Sequence, residues 1–189
     1  FNVMFAGNIG EAQDFPSILK AAEFLKVKPD IRWLIVGNGR ISAWLRDEID
    51  RRNLRNHFFM LGSHPVERMP SFFKHADALL VSLKDEPIFA MTIPGKLQSY
   101  LASGIPVLAM LNGEGSDVVV RSGAGLACAS NDYQGLAANV LKLQQMSKDE
   151  RRIMGENGKR FSSAEFGRDV LIDKLENWLL KLNLDTRVS

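Results

Sequence analysis

The residues Pro94-Gly95-Lys96-Leu97 combine the types that can hold an anion. Leu97, Tyr100, Leu101 and Gly104 recur at helical spacing, which predicts a helix over Gly95–Ser103 with one buried face. Pro94 stands at its start, where a missing N–H costs nothing. The amides of Gly95, Lys96 and Leu97 are then expected to be unpaired and to point along the helix axis. Added to the helix dipole, they make an anion site, and Lys96 places a full positive charge beside it. A diphosphate suits such a site. The same residues would also serve a plainly capped helix with a solvated lysine.

Two glycine turns supply a second set of candidates. Gly7-Asn8-Ile9-Gly10 follows an apolar run and precedes a helix, and Gly37-Asn38-Gly39 does the same after the next run. Glycine lets a backbone approach a ligand closely. Each turn could equally be only a turn, since neither has the G-x-G-x-x-G dinucleotide spacing. The G-K-[ST] ending of a phosphate-binding loop is missing from both, which disfavours nucleotide triphosphate hydrolysis. Cys128, the one cysteine, lies in an apolar run and reads as a core residue, and no Cys/His spacing suggests zinc. His57 and His75 flank strands and read as structural; His64 lies in a loop.

These residues need elements to position them. Apolar runs at Val3–Ala6, Ile31–Val36, His57–Leu61, Ala76–Ser82, Val107–Met110 and Gly125–Ala129 predict strands. Helices are expected between them, over Pro16–Lys26, Ile41–Asn53, Pro65–His75, Gly95–Ser103 and Gly115–Ser122. Three more are expected at the end, over Tyr133–Met146, Lys148–Phe161 and Ala164–Leu182. Gly104, with Pro106 two residues on, marks the end of the Gly95 helix. Alternation of this kind implies an α/β fold: a Rossmann-like, three-layer α/β/α arrangement on a parallel sheet, with a helical C-terminus. In such sheets ligands bind at the carboxyl ends of the strands, where the strand order reverses.

The chain has 189 residues, enough for one α/β domain, and neither repeats nor a long linker divide it. Lys+Arg number 24 and Asp+Glu 22, a net charge of +2, too balanced to argue for nucleic acid as a partner. No run approaches the ~18 consecutive apolar residues of a membrane span, and no secretory leader is evident. Phe1 already lies in a strand-like run without an initiator Met, so a piece of a longer protein is expected, spanning 1–189 as one domain.

The stretch P-x-K-x-x-x-Y-L-A-x-G-x-P-V, from Pro94 to Val107, resembles the corresponding segment of the GT-B glycosyltransferases of family 4. More narrowly, K-x-Q-S-Y-L-A-x-G from Lys96 and A-G-N-I-G-x-A-Q from Ala6 are similar to bacterial L-fucosamine or N-acetylaminosugar transferases of O-antigen, lipopolysaccharide and capsule biosynthesis. V-G-x-G from Val36 and the long last helix fit as well. The resemblance covers essentially the whole chain and implies the C-terminal, donor-binding domain of such an enzyme. It implies a UDP-sugar or other nucleotide-sugar donor, transfer with retention, and no metal or other cofactor. It also implies an N-terminal domain, absent here, that would hold a lipid-linked glycan acceptor and usually the catalytic His or Asp. No catalytic residue is therefore assigned in this chain. The setting would be cytoplasmic, at the inner face of the inner membrane, with peripheral association of the parent. The last helix, with Phe166, Val170, Leu171, Leu175 and Trp178, would cross back to the absent domain, or simply pack as a terminal helix.

Carried over residue by residue, the donor site comprises Gly7, Asn8, Ile9, Gly10, Gly37, Asn38, Gly39, Ser63, His64, Thr92, Pro94, Gly95, Lys96 and Ser99. Asn8 stands where many members have a phosphate-binding arginine, and Gln13 where many have a lysine, leaving Lys96 as the main cation. Ser99 and Met91 replace a pair of glutamates, the second of which normally holds the ribose, and Glu86 lies off register. A serine makes fewer hydrogen bonds to ribose than a carboxylate does. Ser63 and His64 fall in the loop that meets the base, and Asp85–Thr92 would face the donor sugar. Two alternatives remain at this stage: a UDP-sugar 2-epimerase of the same architecture, and a non-catalytic α/β module of the response-regulator kind. The first needs acidic groups at the sugar and the second an acidic cluster at the sheet edge.

Overall fold

The computed structural model describes residues 1–185, with side chains described as far as residue 181. Six short strands, β1 (Asn2–Ala6), β2 (Arg32–Val36), β3 (Phe58–Gly62), β4 (Ala78–Ser82), β5 (Val107–Met110) and β6 (Gly125–Cys128), form one parallel sheet in the order β3-β2-β1-β4-β5-β6. β4 and β5 are buried throughout, which is why they read as unbroken apolar runs. Side chains alternate across the sheet. Val3 and Phe5 join a core on one face, with α1 (Phe15–Phe24), α2 (Ser42–Arg51) and α7 (Tyr133–Gln145). Met4 and Ala6 join the core on the other, with α3 (Met69–Phe73), α5 (Gly95–Ser103) and α6 (Glu114–Ser122). The architecture is the expected Rossmann-like α/β sandwich.

The chain moves outward from β1 to β3, then returns to lay β4 on the other side of β1. This reversal opens a crevice. β1 and β4 pair only at Val3–Ala78 and Met4–Leu79, whereas β1 stays on β2 as far as Ala6–Val36 and β4 stays on β5 as far as Ser82–Met110. The carboxyl ends of β1 and β4 therefore part, and other residues must fill the gap.

Three elements differ from the sequence expectation. The helix expected over Pro65–His75 is a 3-10 turn at Val66–Arg68 followed by the short α3. Pro70 explains this: a helix continuing from Val66 would lack the Pro70 N–H and clash with the Val66 carbonyl. The loop Asp85–Thr92 contains one helical turn, α4 (Pro87–Ala90). The helix expected to end at Phe161 continues as α8 (Lys148–Phe166), and the last helix, α9 (Arg168–Asp185), begins after a break at Gly167. α8 packs tightly on α5. A β-carbon on Gly155 would lie 1.9 Å from the Gly104 carbonyl oxygen. Among the described residues, no helix is long and apolar enough to cross a membrane.

Candidate functional site

The gap between β1 and β4 is filled from two sides. From α5, the buried Tyr100 hydroxyl accepts the Ala6 N–H at 2.9 Å and donates to the Ala6 carbonyl at 3.0 Å. It thus takes the place of β4 as partner for the last residue of β1. Burial pushes the phenol well above its ordinary range, so it stays protonated and able to donate. From the chain after β1, a 3-10 turn at Glu11–Gln13 inserts. The Ala12 carbonyl accepts the Lys84 N–H at 2.9 Å, and the Gln13 carbonyl accepts the Ser82 hydroxyl at 2.6 Å.

Above this filling lies an open cleft of about 360 Å³, within the usual size range of small-molecule sites. Gly7 and Asn8, Gly37 and Asn38, Ser63 and His64, and Lys96 and Ser99 all line it. The two glycine turns touch. Gly7 (φ 147°) and Gly37 (φ 139°) have backbone angles suited to glycine, and a β-carbon on Gly37 would lie 1.9 Å from the Gly7 carbonyl oxygen. Ala6, Val36, Val66, Met69, Phe73 and Tyr100 complete the walls. His64 packs on Phe72, with ring centroids 4.6 Å apart, and its Nε2 lies 3.1 Å from the Leu61 carbonyl oxygen.

Lys96 is the one cation in the lining and no acidic side chain stands there. Its Nζ donates to Gln13 Oε1 and lies 3.9 Å from the centroid of the Phe5 ring. Gly7 leaves room for it, since a β-carbon there would lie 3.2 Å from Nζ. Burial pushes the ammonium down to about 7, while the ring face and the amide oxygen favour the charged form. An anion entering the cleft would strengthen that charge.

The start of α5 is open, though less so than its sequence implies. Pro94 precedes the helix with no side-chain cap. The Leu97 N–H donates to the Pro94 carbonyl at 2.9 Å, so it is not available to a ligand. Among the described residues, the Gly95 and Lys96 N–H groups have no backbone or side-chain partner, and Gly95 is exposed. Thr92, Pro94 and Gly95 lead into the helix and do not line the cleft; the Thr92 hydroxyl donates to Phe89 O at 3.1 Å.

Three other expected residues have internal duties. Ile9 is fully buried, its N–H donates to Asn38 O and its carbonyl accepts from Ile41, so it ties the two turns together from beneath. Gly10 starts the 3-10 turn, with its carbonyl accepting the Gln13 N–H. Gly39 passes so close to the first turn that a β-carbon would lie 2.3 Å from Ile9 O. Met91 and Glu86 are exposed on the far loop, outside the cleft lining. Cys128 is half-buried, its thiol pushed up to about 12 by burial and by Asp132, in keeping with an unreactive packing residue.

Comparison with known proteins gives the family and the fold. The family model "Glycosyl transferases group 1" matches residues 1–161, most of the chain. The chain belongs to that family. WcaI of Escherichia coli (strain K12), named as a colanic acid biosynthesis glycosyl transferase, is 37% identical over 103 residues, covering 54% of this chain and 24% of WcaI. The amylovoran biosynthesis glycosyltransferase AmsK of Erwinia amylovora is 25% identical over 149 residues, covering 78% of this chain and 37% of AmsK. This group 1 domain thus spans about a quarter to a third of the curated relatives it matches. Among solved structures, Anabaena HepE in complex with UDP and glucose superposes with a TM-score of 0.77 at 17% identity, covering 95% of this chain and 48% of HepE. The sucrose-phosphate synthase of Thermosynechococcus elongatus gives 0.80 at 19% identity, covering 97% of this chain and 46% of that one. The fold of the group 1 domain is therefore that of the GT-B proteins.

Two elements of the site escape a reading of residue types. Tyr100 shows in the sequence only as a member of an apolar stripe; its signal is that a buried tyrosine needs a hydrogen-bond partner. Phe5 lies in the middle of a strand, and only the fold brings Lys96 onto its ring.

Proposed function

We propose that this chain is the donor-binding half of a retaining, family 4 glycosyltransferase, and that its cleft holds a nucleotide-sugar. The observation that carries the reading is the corner where β1 and β4 part. A lone half-buried cation and two glycine turns meet there with no carboxylate in the lining, beside a helix start whose Gly95 and Lys96 amides have no partner among the described residues. The diphosphate would take the Gly95 and Lys96 amides and the Lys96 ammonium. The base would lie toward Ser63 and His64, and the ribose toward Ser99. As the sugar departs, charge grows on the diphosphate, and fixed dipoles with a preplaced ammonium stabilise it without reorganisation. That electrostatic role makes a metal unnecessary in this reading.

The finer parts rest on the resemblance. The donor would be a UDP-linked N-acetylated deoxyamino sugar, and the acceptor a lipid-linked oligosaccharide held by an N-terminal half. The product would enter an O-antigen or capsule polysaccharide at the cytoplasmic membrane face. This chain alone would bind donor without transferring it. α9 supports an absent half: Leu171, Leu175 and Trp178 fall on one helical face and are 47%, 53% and 62% exposed. Phe166 instead packs on Phe161, with centroids 5.9 Å apart. The lining without carboxylates disfavours both the epimerase and the response-regulator alternatives.

A panel of UDP, GDP and ADP species, read by calorimetry and thermal shift, tests the proposal. UDP should raise the melting temperature, the stabilisation growing with the logarithm of its concentration over Kd once that ratio exceeds one. A folded sample stabilised by none of them would refute it.

A further inference from the structure

Gln13 is held more firmly than a surface glutamine needs to be. Its N–H donates to Gly10 O, its carbonyl accepts from Ser82, and its side-chain oxygen accepts from Lys96, a residue 83 positions away. It stands inside the crevice where β1 and β4 part, so its backbone has little freedom to move with the ligand.

Lys96 has few other means of keeping its charge there. From β1 it faces the Phe5 ring and the bare backbone of Gly7. From its own helix it faces Tyr100, whose hydroxyl is committed to Ala6. Across the cleft stands His64. Beside Gln13 lie Glu11, which is exposed, and Asp14, which is buried, and neither forms an ion pair with Lys96. The amide oxygen of Gln13 is thus the one protein acceptor that Lys96 Nζ has among the described residues.

We propose that Gln13 is a positioning residue for the anion site, holding the Lys96 ammonium charged over the Phe5 ring so that two of its N–H groups remain for a diphosphate. The inference rests on the donor-site reading above. It explains why a neutral residue can serve at that position. A second cation would repel Lys96 across a short gap, whereas an amide oxygen supports it and leaves the site's net charge at one. It also predicts that nucleotide affinity depends on Gln13 through the charge on Lys96 and not through shape. With Gln13 in place burial already holds Lys96 down at about 7, so removal of the oxygen lowers it further and leaves more of the lysine neutral in mildly alkaline solution. The sign is set by linkage. The ligand binds the ammonium form, so the lysine's contribution to affinity is full below its pKa and declines as pH rises through it.

Gln13→Met tests this, because it keeps the length of the side chain and removes the acceptor. UDP is titrated into the wild-type chain and the variant at about pH 8.5 and about pH 6. The variant should bind about 10-fold more weakly at the higher pH and approach the wild type at the lower one. Equal affinity at the higher pH, or the same loss at both, would overturn the proposal, the second result marking a merely structural role. A ligand-free readout separates the two claims. The NMR titration midpoint of the Lys96 side chain should fall in Gln13→Met. Unshifted midpoints sink the tether even where UDP binds. Shifted midpoints in a chain that binds no nucleotide sink the donor reading and leave the tether standing.

Discussion

The starts of α5 and α8 make opposite use of the same backbone chemistry. At α8, Ser147 and Glu150 form a reciprocal capping box, so the first turn satisfies itself. At α5 no side chain caps the first turn, and two amides have no partner among the described residues. The missing cap is not by itself informative, since α1, α2 and α6 also lack a side-chain cap. What distinguishes α5 is the half-buried cation carried in that same turn, with no ion-pair partner among the described residues and no carboxylate in the lining of the cleft it faces. The contrast extends to the sheet edge. Beyond β5 and β6, Asn112 donates to Asp85 at 2.8 Å and accepts the Ser130 N–H at 3.1 Å, while Asp132 caps α7 through the Gly135 N–H at 2.8 Å. Apart from the buried Ser130 hydroxyl, which has no partner among the described residues, these polar groups satisfy one another. Those at the β1–β4 end are positioned and face the cleft.

The comparison can be broken most sharply at Lys96. Lys96→Ala should weaken UDP binding by about 1.5–3 kcal/mol, the range for a hydrogen bond to a charged group; calorimetry measures it, and unchanged affinity would remove Lys96 from the site. The same residue should leave a mark on the unliganded protein. Its folded pKa lies below the unfolded value of about 10.4, so the unfolded chain binds more protons between the two. Stability should therefore climb as pH rises from about 7 toward 10, and Lys96→Met should flatten that climb in urea titrations.

Tyr100→Phe comes next. It leaves the buried Ala6 N–H and C=O without their partner, at a cost of about 1–3 kcal/mol of stability. Because the hydroxyl locks α5 to β1, UDP affinity should drop as well. A stability loss without any loss of affinity would show that the clasp does not position the site. The smallest effect is expected at the other helix start. Ser147→Ala should cost about 1 kcal/mol of stability, measured by denaturant unfolding, and leave UDP affinity unchanged.

Much of the fold was legible because the central strands are buried on both faces and read as plain apolar runs. β5 falls where the run Val107–Met110 places it, and α5 starts and stops at Pro94 and Gly104 as their chemistry requires. The β3–β4 connection was harder, because the helical spacing of its apolar residues hides the interruption imposed by Pro70. α4, at four residues, is too short to carry a period. In the site, Lys96 and the glycine turns announce themselves by type and place. The contacts that give them their properties join residues far apart in sequence, 83 positions from Gln13 to Lys96 and 94 from Ala6 to Tyr100. No local pattern encodes those distances. Leu97 illustrates the reverse error: its amide looks free by position, and a 3-10 bond to Pro94 takes it.

An amide NMR titration of this chain with UDP tests the central claim most directly. The Gly95 and Lys96 amides should shift most, together with Gly7 and Gly37 at the facing turns, while Asn112 and Ser130 beyond β5 and β6 stay still. Saturable shifts centred on Asn112 and Ser130, or no shifts in the Gly95 turn at saturating nucleotide, would contradict the account.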